Sequence, residues 1–464
     1  MYSQRRSSAL NCALSDATRL RAIETAVPLE TVTHVLDQHH CIEQRCRKLS
    51  MGLTVYLVIA MNLFARERLG LVLERLLHTW HWLSPETNSA AGDPAIHYRR
   101  EQLGVAPMVD LFHQVCRPMA TESTRGAFLF GLRLMAADGK RMNLADHPAL
   151  AEHFGRPTTD RGDGAIPGAF PQALLVTLTE VGTHAYVDAG VWPCRMGEHA
   201  PFRRLLRSVC TGMLVLMDRG LYSADNLLQV RSRGAHVLCR LPQGVKPQMV
   251  KRLSDGSCLV RIAPAAHHPH QPDEGMLVRL ISYTLQDPNN PGHGQVYRLV
   301  TTLLDPKEHP AHALALAYHE RWEQEAVYDE TEVHLLHGDA PLRSRSVAGV
   351  VQEIYGLLIG HYCIRALMHQ AALHADIDPD EISFTATLVL VQEAIRDFQL
   401  AAPALHPYLF ERLLTDISQH RVQQREPRSY PRVVKRKMSN YPLKRTQRPG
   451  YSRCKPYKEA IALI

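Results

Sequence analysis

The chain has 464 residues, more than a single hydrophobic core usually holds, so two or three domains are expected. Its hydrophobic content of 45% and charged content of 21% are those of a globular protein, which excludes a largely disordered chain. The net charge of +7 is unevenly distributed, because residues 421–464 contain thirteen Lys or Arg and two acidic residues. Such a basic segment is typical of one that binds a polyanion. The alternative interpretation of this tail is a solubilising terminus.

The cysteine distribution and the apolar runs predict the compartment. Ten cysteines lie between Cys12 and Cys454 without a CxxC pair, which suits free thiols in a reducing environment. The apolar run at 51–64 is too short to cross a bilayer and predicts a buried helix. The first twenty residues show no secretory signal. We therefore expect a soluble, cytoplasmic protein that does not associate with a membrane.

The N-terminal part of the chain is predicted to be helical. Periodic apolar positions with few glycines indicate three or four helices within residues 17–90, and a linker rich in Pro, Gly, Ser and Asn occupies 84–95. A compact helical domain commonly binds DNA or another protein, and we place one at residues 1–95. A further helical stretch is predicted from Tyr98 to Arg117.

Strands are predicted next. The apolar sequence 127–137 predicts a strand that ends in a turn at Asp138-Gly139. Two β-rich runs flanking residues 182–183 predict a hairpin, and the run 213–217 predicts a short buried strand that ends at Asp218.

Helices and strands both occur in the rest of the chain. After the second strand end, a helix and a strand lead into a β-rich region at about 243–304, and helices resume at Pro310 and continue to about residue 414. This order favours an α+β core interrupted by a β insertion over a barrel or a sandwich.

Three carboxylates stand out along this pattern. Asp138 and Asp218 each follow an apolar strand and precede a glycine-containing turn, although Asp is also an ordinary turn residue. In the predicted helix that begins at Tyr318, a rotation of 100° per residue brings Tyr318, Glu325 and Glu332 within roughly 40° of one another. Such a face suits a polar site, and the alternative is a solvated face with a few ion pairs.

The segment Tyr318-x2-Arg321-x3-Glu325, with Trp322, resembles the signature of the insertion-sequence-4-type DDE transposases, Y-x2-R-x3-E-x6-K. The resemblance extends from about Val27 to the basic tail and so covers nearly the whole chain. Further segments match in order: Asp138-Gly139, His153-Phe154-Gly155, Asp218-Arg219-Gly220 with Tyr222, Leu342-Arg343-Ser344, VQEIYGLL, Ile382–Thr385 and the terminal PRVVKRKMSNYPLKR.

The resemblance implies a ribonuclease-H-like core at residues 96–420, with the β insertion at about 243–304, preceded by the helical domain and followed by the basic tail. It also implies that Asp138, Asp218 and Glu325 hold two divalent metal ions, Mg²⁺ or, as a substitute, Mn²⁺. The implied activity is DNA cleavage and strand transfer at terminal inverted repeats.

The same resemblance implies the DNA contacts. Tyr318 and Arg321 would hold phosphates near the cut, and Trp322 would either stack on an extruded base or belong to the core. In the tail, the basic residues expected to contact DNA are Lys435, Arg436 and Lys437. The expected partner is double-stranded DNA, both element ends and target, bound by a homodimer in a synaptic complex. The protein would then be nucleoid-associated in a bacterium.

The chain departs from the family pattern at two positions. Glu332 stands where the family has lysine, and Lys140 stands where it often has threonine. An anion about 5 Å from a DNA phosphate costs on the order of 1 kcal/mol. His334 and Lys307 are the cations considered as compensation, and the sequence does not show that either lies there. This leaves open a second hypothesis, a catalytically weakened or inactive DNA-binding derivative. A structure-selective nuclease on the same core is the third.

Overall fold

The computed structural model describes residues 26–43, 49–83, 92–160, 165–262, 275–290, 292–338, 340–422, 428–429, 452–453 and 456–463. The chain divides into two compact units. The first consists of residues 1–128, 134–208 and 323–422, and the second of residues 129–133, 209–322 and 423–464.

The described helices, in chain order, are α1 (Leu29–Gln38), α2 (Met51–Leu63), α3 (Leu69–Leu83), α4 (Asp93–Leu103), α5 (Ala106–Val115), α6 (Pro148–Phe154), α7 (His199–Leu205), α8 (Ala224–Ser232), α9 (Ala311–His319), α10 (Glu323–Asp329), α11 (Val347–Ala375), α12 (Phe384–Leu400), α13 (His406–Gln419) and α14 (Tyr457–Ala460). The described strands are β1 (Phe128–Leu129), β2 (Leu132–Asn143), β3 (Thr158–Asp160), β4 (Ala165–Pro167), β5 (Gln172–Glu180), β6 (Ala185–Pro193), β7 (Met213–Met217), β8 (His236–Arg240), β9 (Gln248–Arg252), β10 (Cys258–Ile262), β11 (Met276–Leu285), β12 (Val296–Thr301), β13 (Arg428–Ser429), β14 (Ser452–Arg453) and β15 (Ile461–Leu463).

The N-terminal helices of the first unit form as their sequence predicts. Ser50 caps α2 by accepting a hydrogen bond from the backbone N–H of Leu53 at 3.2 Å, and all thirteen residues of α2 are buried. The apolar run is therefore a core helix, as predicted. The helical stretch predicted at 98–117 forms two helices, α4 and α5, because Gly104 adopts a positive φ of 67° that ends α4. Residues 84–91 of the predicted linker lie outside the described residues.

Helix α11 is the centre of the first unit and packs directly on α2. A side chain at Gly356 would place its Cβ 2.5 Å from the backbone oxygen of Val58, so glycine permits this close approach. Of the described helices, α11 alone is long and apolar enough to cross a membrane, and 78% of its most apolar window is buried. Residues from before position 95 share one hydrophobic core with this helix. The domain boundaries proposed at residues 95 and 420 remain a prediction.

The first unit also contains an antiparallel meander in the order β6-β5-β2. Strands β5 and β6 are joined by a single 3₁₀ turn at Val181–Thr183, which confirms the predicted hairpin. Almost every residue of β5 is buried, as expected for a strand covered on both faces.

The second unit holds the strands in the order β7-β8-β12-β11-β10-β9. Strands β7 and β8 are parallel and are connected by α8, whereas β12, β11, β10 and β9 pair antiparallel. The β-rich region predicted at about 243–304 is thus confirmed. From the basic tail, β15 pairs with β11, and the ring of Tyr457 stacks on that of His319 at 3.8 Å.

Candidate active site

Asp138 lies within β2, not at its end. The strand continues to Asn143, and Asp138 pairs with Thr177 of β5, so the predicted turn at Asp138-Gly139 is wrong. Glycine occurs at position 139 for a different reason. A Cβ at this position would lie 2.7 Å from the carboxyl group of Glu198. The glycine makes room for another side chain and does not reverse the chain.

The segment that carries Glu325 is not one regular helix. After α9 the backbone tightens into a 3₁₀ turn at Glu320–Trp322, continues as α10, and widens into a π-helical turn at Glu330–Leu335. The predicted alignment of Tyr318, Glu325 and Glu332 assumed 100° per residue throughout, and the backbone does not keep that rotation in this segment. Glu325 is exposed in α10.

Helix α10 is fastened to β2 at the position of Asp138. The hydroxyl of Tyr328 donates to the backbone oxygen of Asp138 at 2.9 Å and lies 2.9 Å from the hydroxyl of Thr177. The amide of Gln324 donates to the same threonine at 3.1 Å. Tyr328 and Gln324 are both buried. The residues flanking Glu325 thus anchor its helix to the strand pair that presents Asp138.

Asp218 directly follows the buried strand β7, as predicted. Its Oδ1 atom accepts a hydrogen bond from the backbone N–H of Leu221 at 2.9 Å, which orients the carboxylate in its loop. The thiol of Cys239, on the parallel strand β8, donates to the backbone oxygen of Asp218 at 3.5 Å. Burial raises the pKa of this thiol well above its usual value, and the negative charge of Asp218 adds to the effect.

Tyr318 and Arg321 belong to the same second unit as Asp218. The guanidinium carbon of Arg321 lies 5.9 Å from the centre of the Tyr318 ring. Tyr318 is only 5% exposed, and burial raises the pKa of its hydroxyl, with Arg321 opposing and Asp218 reinforcing the shift. The side chain of Trp322 and the tail residues Lys435, Arg436 and Lys437 lie outside the described residues.

A buried charged cluster, missed by sequence reasoning, holds the signature segment in place. Glu330 accepts hydrogen bonds from the Nε atom of Arg365 at 2.9 Å and from His361 at 2.8 Å, both on α11. His184, in the β5–β6 turn, lies 3.1 Å from Glu330 and 3.0 Å from Glu323. Because these residues are far apart in sequence, the only local signal was acidic residues at inward positions of a helix.

This cluster includes a group with the composition of a metal site. Ligand atoms of His184, Glu323 and Asp380 all lie within 4.8 Å of one another. Burial and Arg365 oppose protonation of His184, but Asp380, Glu330 and the hydrogen bond to Glu323 outweigh them and raise its pKa to about 9. His184 pairs with Glu323, Glu330 and Asp380, so the cluster is a network of ion pairs.

The ionisation of the acids agrees with this interpretation. Burial works against the charged form of Glu330, yet Arg365 and His184 hold its pKa well below the usual value. Burial raises the pKa of Asp380 to about 7, although His184 and Arg365 oppose it. The network therefore places ionised Glu330 against two cations inside the first unit.

The three predicted carboxylates offer oxygen donors of the kind that a hard divalent cation accepts. Asp138 and Asp218 are half-buried and Glu325 is exposed, so all three side chains are reachable from solvent. Asp138 lies within a strand, Asp218 lies at the end of a strand, and Glu325 lies on a helix that buried neighbouring residues anchor. Carboxylate oxygens on rigid supports are the donors that Mg²⁺ and Mn²⁺ prefer.

Comparison with known proteins identifies the family. Residues 17–113 match the family described as insertion element 4 transposase N-terminal, and residues 130–363 match the transposase DDE domain. The chain is 25% identical over 420 residues to the transposase InsG for insertion sequence element IS4 from Escherichia coli strain K12, covering 89% of this chain and 91% of that protein. A solved piggyBac transposase, in a synaptic complex with hairpin DNA, aligns with a TM-score of 0.43 and 10% identity over 88% of this chain and 86% of that one.

The DDE-domain match spans more than half of the chain and lies on the strands and helices that carry Asp138, Asp218 and Glu325. The expected fold class is confirmed: a ribonuclease-H-like core with a β-strand insertion, preceded by helices. Proteins with this domain use a divalent metal and act on DNA. The chain belongs to the insertion-element-4-type DDE transposases and is the transposase of an insertion element.

Proposed function

We propose that the protein cuts DNA at the terminal inverted repeats of its element and joins the released ends to a target, with Mg²⁺ held by Asp138, Asp218 and Glu325. Mn²⁺ would substitute because it accepts the same oxygen donors. The observation that carries the proposal is the anchoring of the Glu325 helix at Asp138 through Tyr328. A bound divalent metal supplies Lewis acidity for phosphodiester cleavage.

The protein's own residues orient the reacting groups. The backbone of β2 holds Asp138, the hydrogen bond from Leu221 holds the carboxylate of Asp218, and α10 presents Glu325 to solvent. Arg321 would bind a DNA phosphate, since its planar guanidinium can hold two phosphate oxygens. Tyr318 is proposed to contact a DNA phosphate together with Arg321, whose guanidinium carbon lies 5.9 Å from the centre of its ring.

DNA is proposed to be contacted over a wider surface. Trp322 would stack on an extruded base, and Lys435, Arg436 and Lys437 would bind backbone phosphates along the tail. Two element ends must be held together for strand transfer, so the active form is proposed to be a homodimer in a synaptic complex. We place DNA binding also in the helical domain at residues 1–95.

The decisive experiment incubates purified protein with Mg²⁺ and a linear fragment that ends in the element's inverted repeat. Asp218→Asn should abolish cutting, because a neutral amide is a poor ligand for a hard cation. Asp376→Asn is the matched control: its side chain is 90% exposed, and cutting should be unchanged. Cutting that persists in Asp218→Asn would refute the assignment.

A catalytically weakened or inactive DNA-binding derivative is the second candidate, favoured by Glu332 in the place of the family lysine. Such a protein would bind the end fragment specifically and leave it uncut in both Mg²⁺ and Mn²⁺. A structure-selective nuclease would cut but would not join strands. Strand-transfer products from the wild-type protein would therefore exclude an inactive derivative and a structure-selective nuclease.

A further inference from the structure

Lys140 and Glu332, the two positions at which the chain departs from the family pattern, contact each other. The Nζ atom of Lys140 lies 2.8 Å from Oε2 of Glu332. The positive charge that is missing at position 332 is therefore present across a salt bridge, at position 140. Of the cations considered from sequence, His334 lies instead 3.6 Å from Asp329, and Lys307 belongs to the second unit.

Strand β2 places Lys140 beside Asp138. The two residues are two positions apart in a regular part of the strand, so their side chains leave the same face. The ammonium group lies 5.9 Å from the centre of the Tyr328 ring, whose hydroxyl binds the backbone oxygen of Asp138. The ammonium group of Lys140 thus lies on the same face of the sheet as the side chain of Asp138, a proposed metal ligand.

Stability does not account for this pair. The side chains of Lys140 and Glu332 are 40% and 22% exposed, and ion pairs this open to solvent contribute little to folding. What the pair does is restrict a long, flexible side chain, which otherwise samples many rotamers. An ammonium group has three N–H donors, so one bond to Glu332 leaves donors for a second anion.

We propose that Lys140 binds a DNA phosphate beside Asp138 and that Glu332 is a positioning residue that holds its ammonium group there. The inference rests on the proposed DNA cleavage and deepens it, because it assigns a phosphate contact that replaces the cation expected at position 332. The pair needs one positively charged side chain, and this side chain can lie at position 140 or at position 332. Glu332 then ceases to be a sign of lost activity.

The test measures two properties of the full-length protein on an inverted-repeat duplex. Binding without divalent metal, followed from about 50 to 200 mM salt, gives the slope of log affinity against log salt. Cutting in Mg²⁺ gives the rate. In Lys140→Met the affinity should fall about tenfold and the slope should decrease by about 0.9, the value for one phosphate contact. In Glu332→Gln the slope should be retained while the cutting rate falls.

Charge exchange separates this role from a structural one. Lys140→Glu alone should lose most cutting, and the double variant K140E/E332K should recover both the slope and the rate to within a few-fold of wild type. Arg412→Met removes the cation of an exposed i,i+4 ion pair and is the control, expected to leave both readouts unchanged. Urea unfolding confirms that each variant is folded.

Two results would overturn the inference. One is an unchanged salt slope in Lys140→Met, and the other is a double variant that cuts no better than Lys140→Glu. If the wild-type protein binds the duplex but never cuts it, the proposed cleavage fails, and the slope still decides whether Lys140 binds phosphate.

Discussion

Replacing Arg365 by methionine should strongly destabilise the first unit. Methionine keeps most of the length of the arginine side chain but removes the guanidinium group, which binds Glu330 inside the protein. Arg365 and Glu330 are 3% and 9% exposed at their side chains, so water cannot replace the lost partner. The variant would leave Glu330 as a buried carboxylate with His184 and His361 as its remaining described partners.

The expected cost is about 3–5 kcal/mol, the range found when one partner of a buried ion pair is removed. Most of this cost is the desolvation of the unpaired carboxylate, so neutralising that carboxylate as well should restore stability. The double variant R365M/E330Q should therefore be more stable than Arg365→Met. Because Glu323 and Glu330 flank Glu325, Arg365→Met should also slow DNA cutting.

Urea unfolding at neutral pH measures both effects, since the linear extrapolation gives the free energy of unfolding of each variant. Arg412→Met, which breaks an exposed ion pair with Asp416, is the matched control and should change stability by less than about 1 kcal/mol. If Arg365→Met costs no more than Arg412→Met, or if the double variant is less stable than Arg365→Met, the interpretation of the cluster is wrong.

Two further predictions concern the same unit. The folded-state pKa of His184, about 9, lies above the unfolded value, so its stabilisation is complete below about pH 6.5 and is lost as the pH rises toward 9. Unfolding measured across this window should show a fall of up to about 3 kcal/mol that His184→Gln removes; an equal fall in the variant would contradict the assignment. Gly356→Ala should cost about 1–3 kcal/mol, because its Cβ would meet the backbone oxygen of Val58 at 2.5 Å. Gly360→Ala, whose Cβ would lie 3.5 Å from a flexible leucine, should be neutral or stabilising in the same thermal or urea unfolding assay, and equal effects would refute the packing argument.

Local sequence predicted most elements because their signals are local. The apolar run at 213–217 is a buried strand with the predicted bounds, and the hairpin around residues 182–183 forms as expected. The largely apolar α2 is a core helix for the same reason: a run of apolar residues of this length must be covered. Family-specific segments, matched in order, were enough to predict the core and the activity class.

Where a strand or helix changes course depended on contacts that sequence does not show. β2 runs through Asp138-Gly139 because β5 pairs with it to Asn143, and the glycine there admits Glu198. The segment after Glu325 widens into a π-helical turn, a distortion that no periodicity of 100° per residue could reveal.

Sequence by itself determined the family, the order of the elements and the three candidate carboxylates, because each depends on residues close together in the chain. Only the tertiary structure decided which charges meet. Glu330 pairs with Arg365 and His184, and Lys140 pairs with Glu332, across separations of 35, 146 and 192 positions. The strength of an ion pair depends on the distance between the two charges and on their burial. The role of Glu332 therefore became clear once Lys140 was known to be its partner.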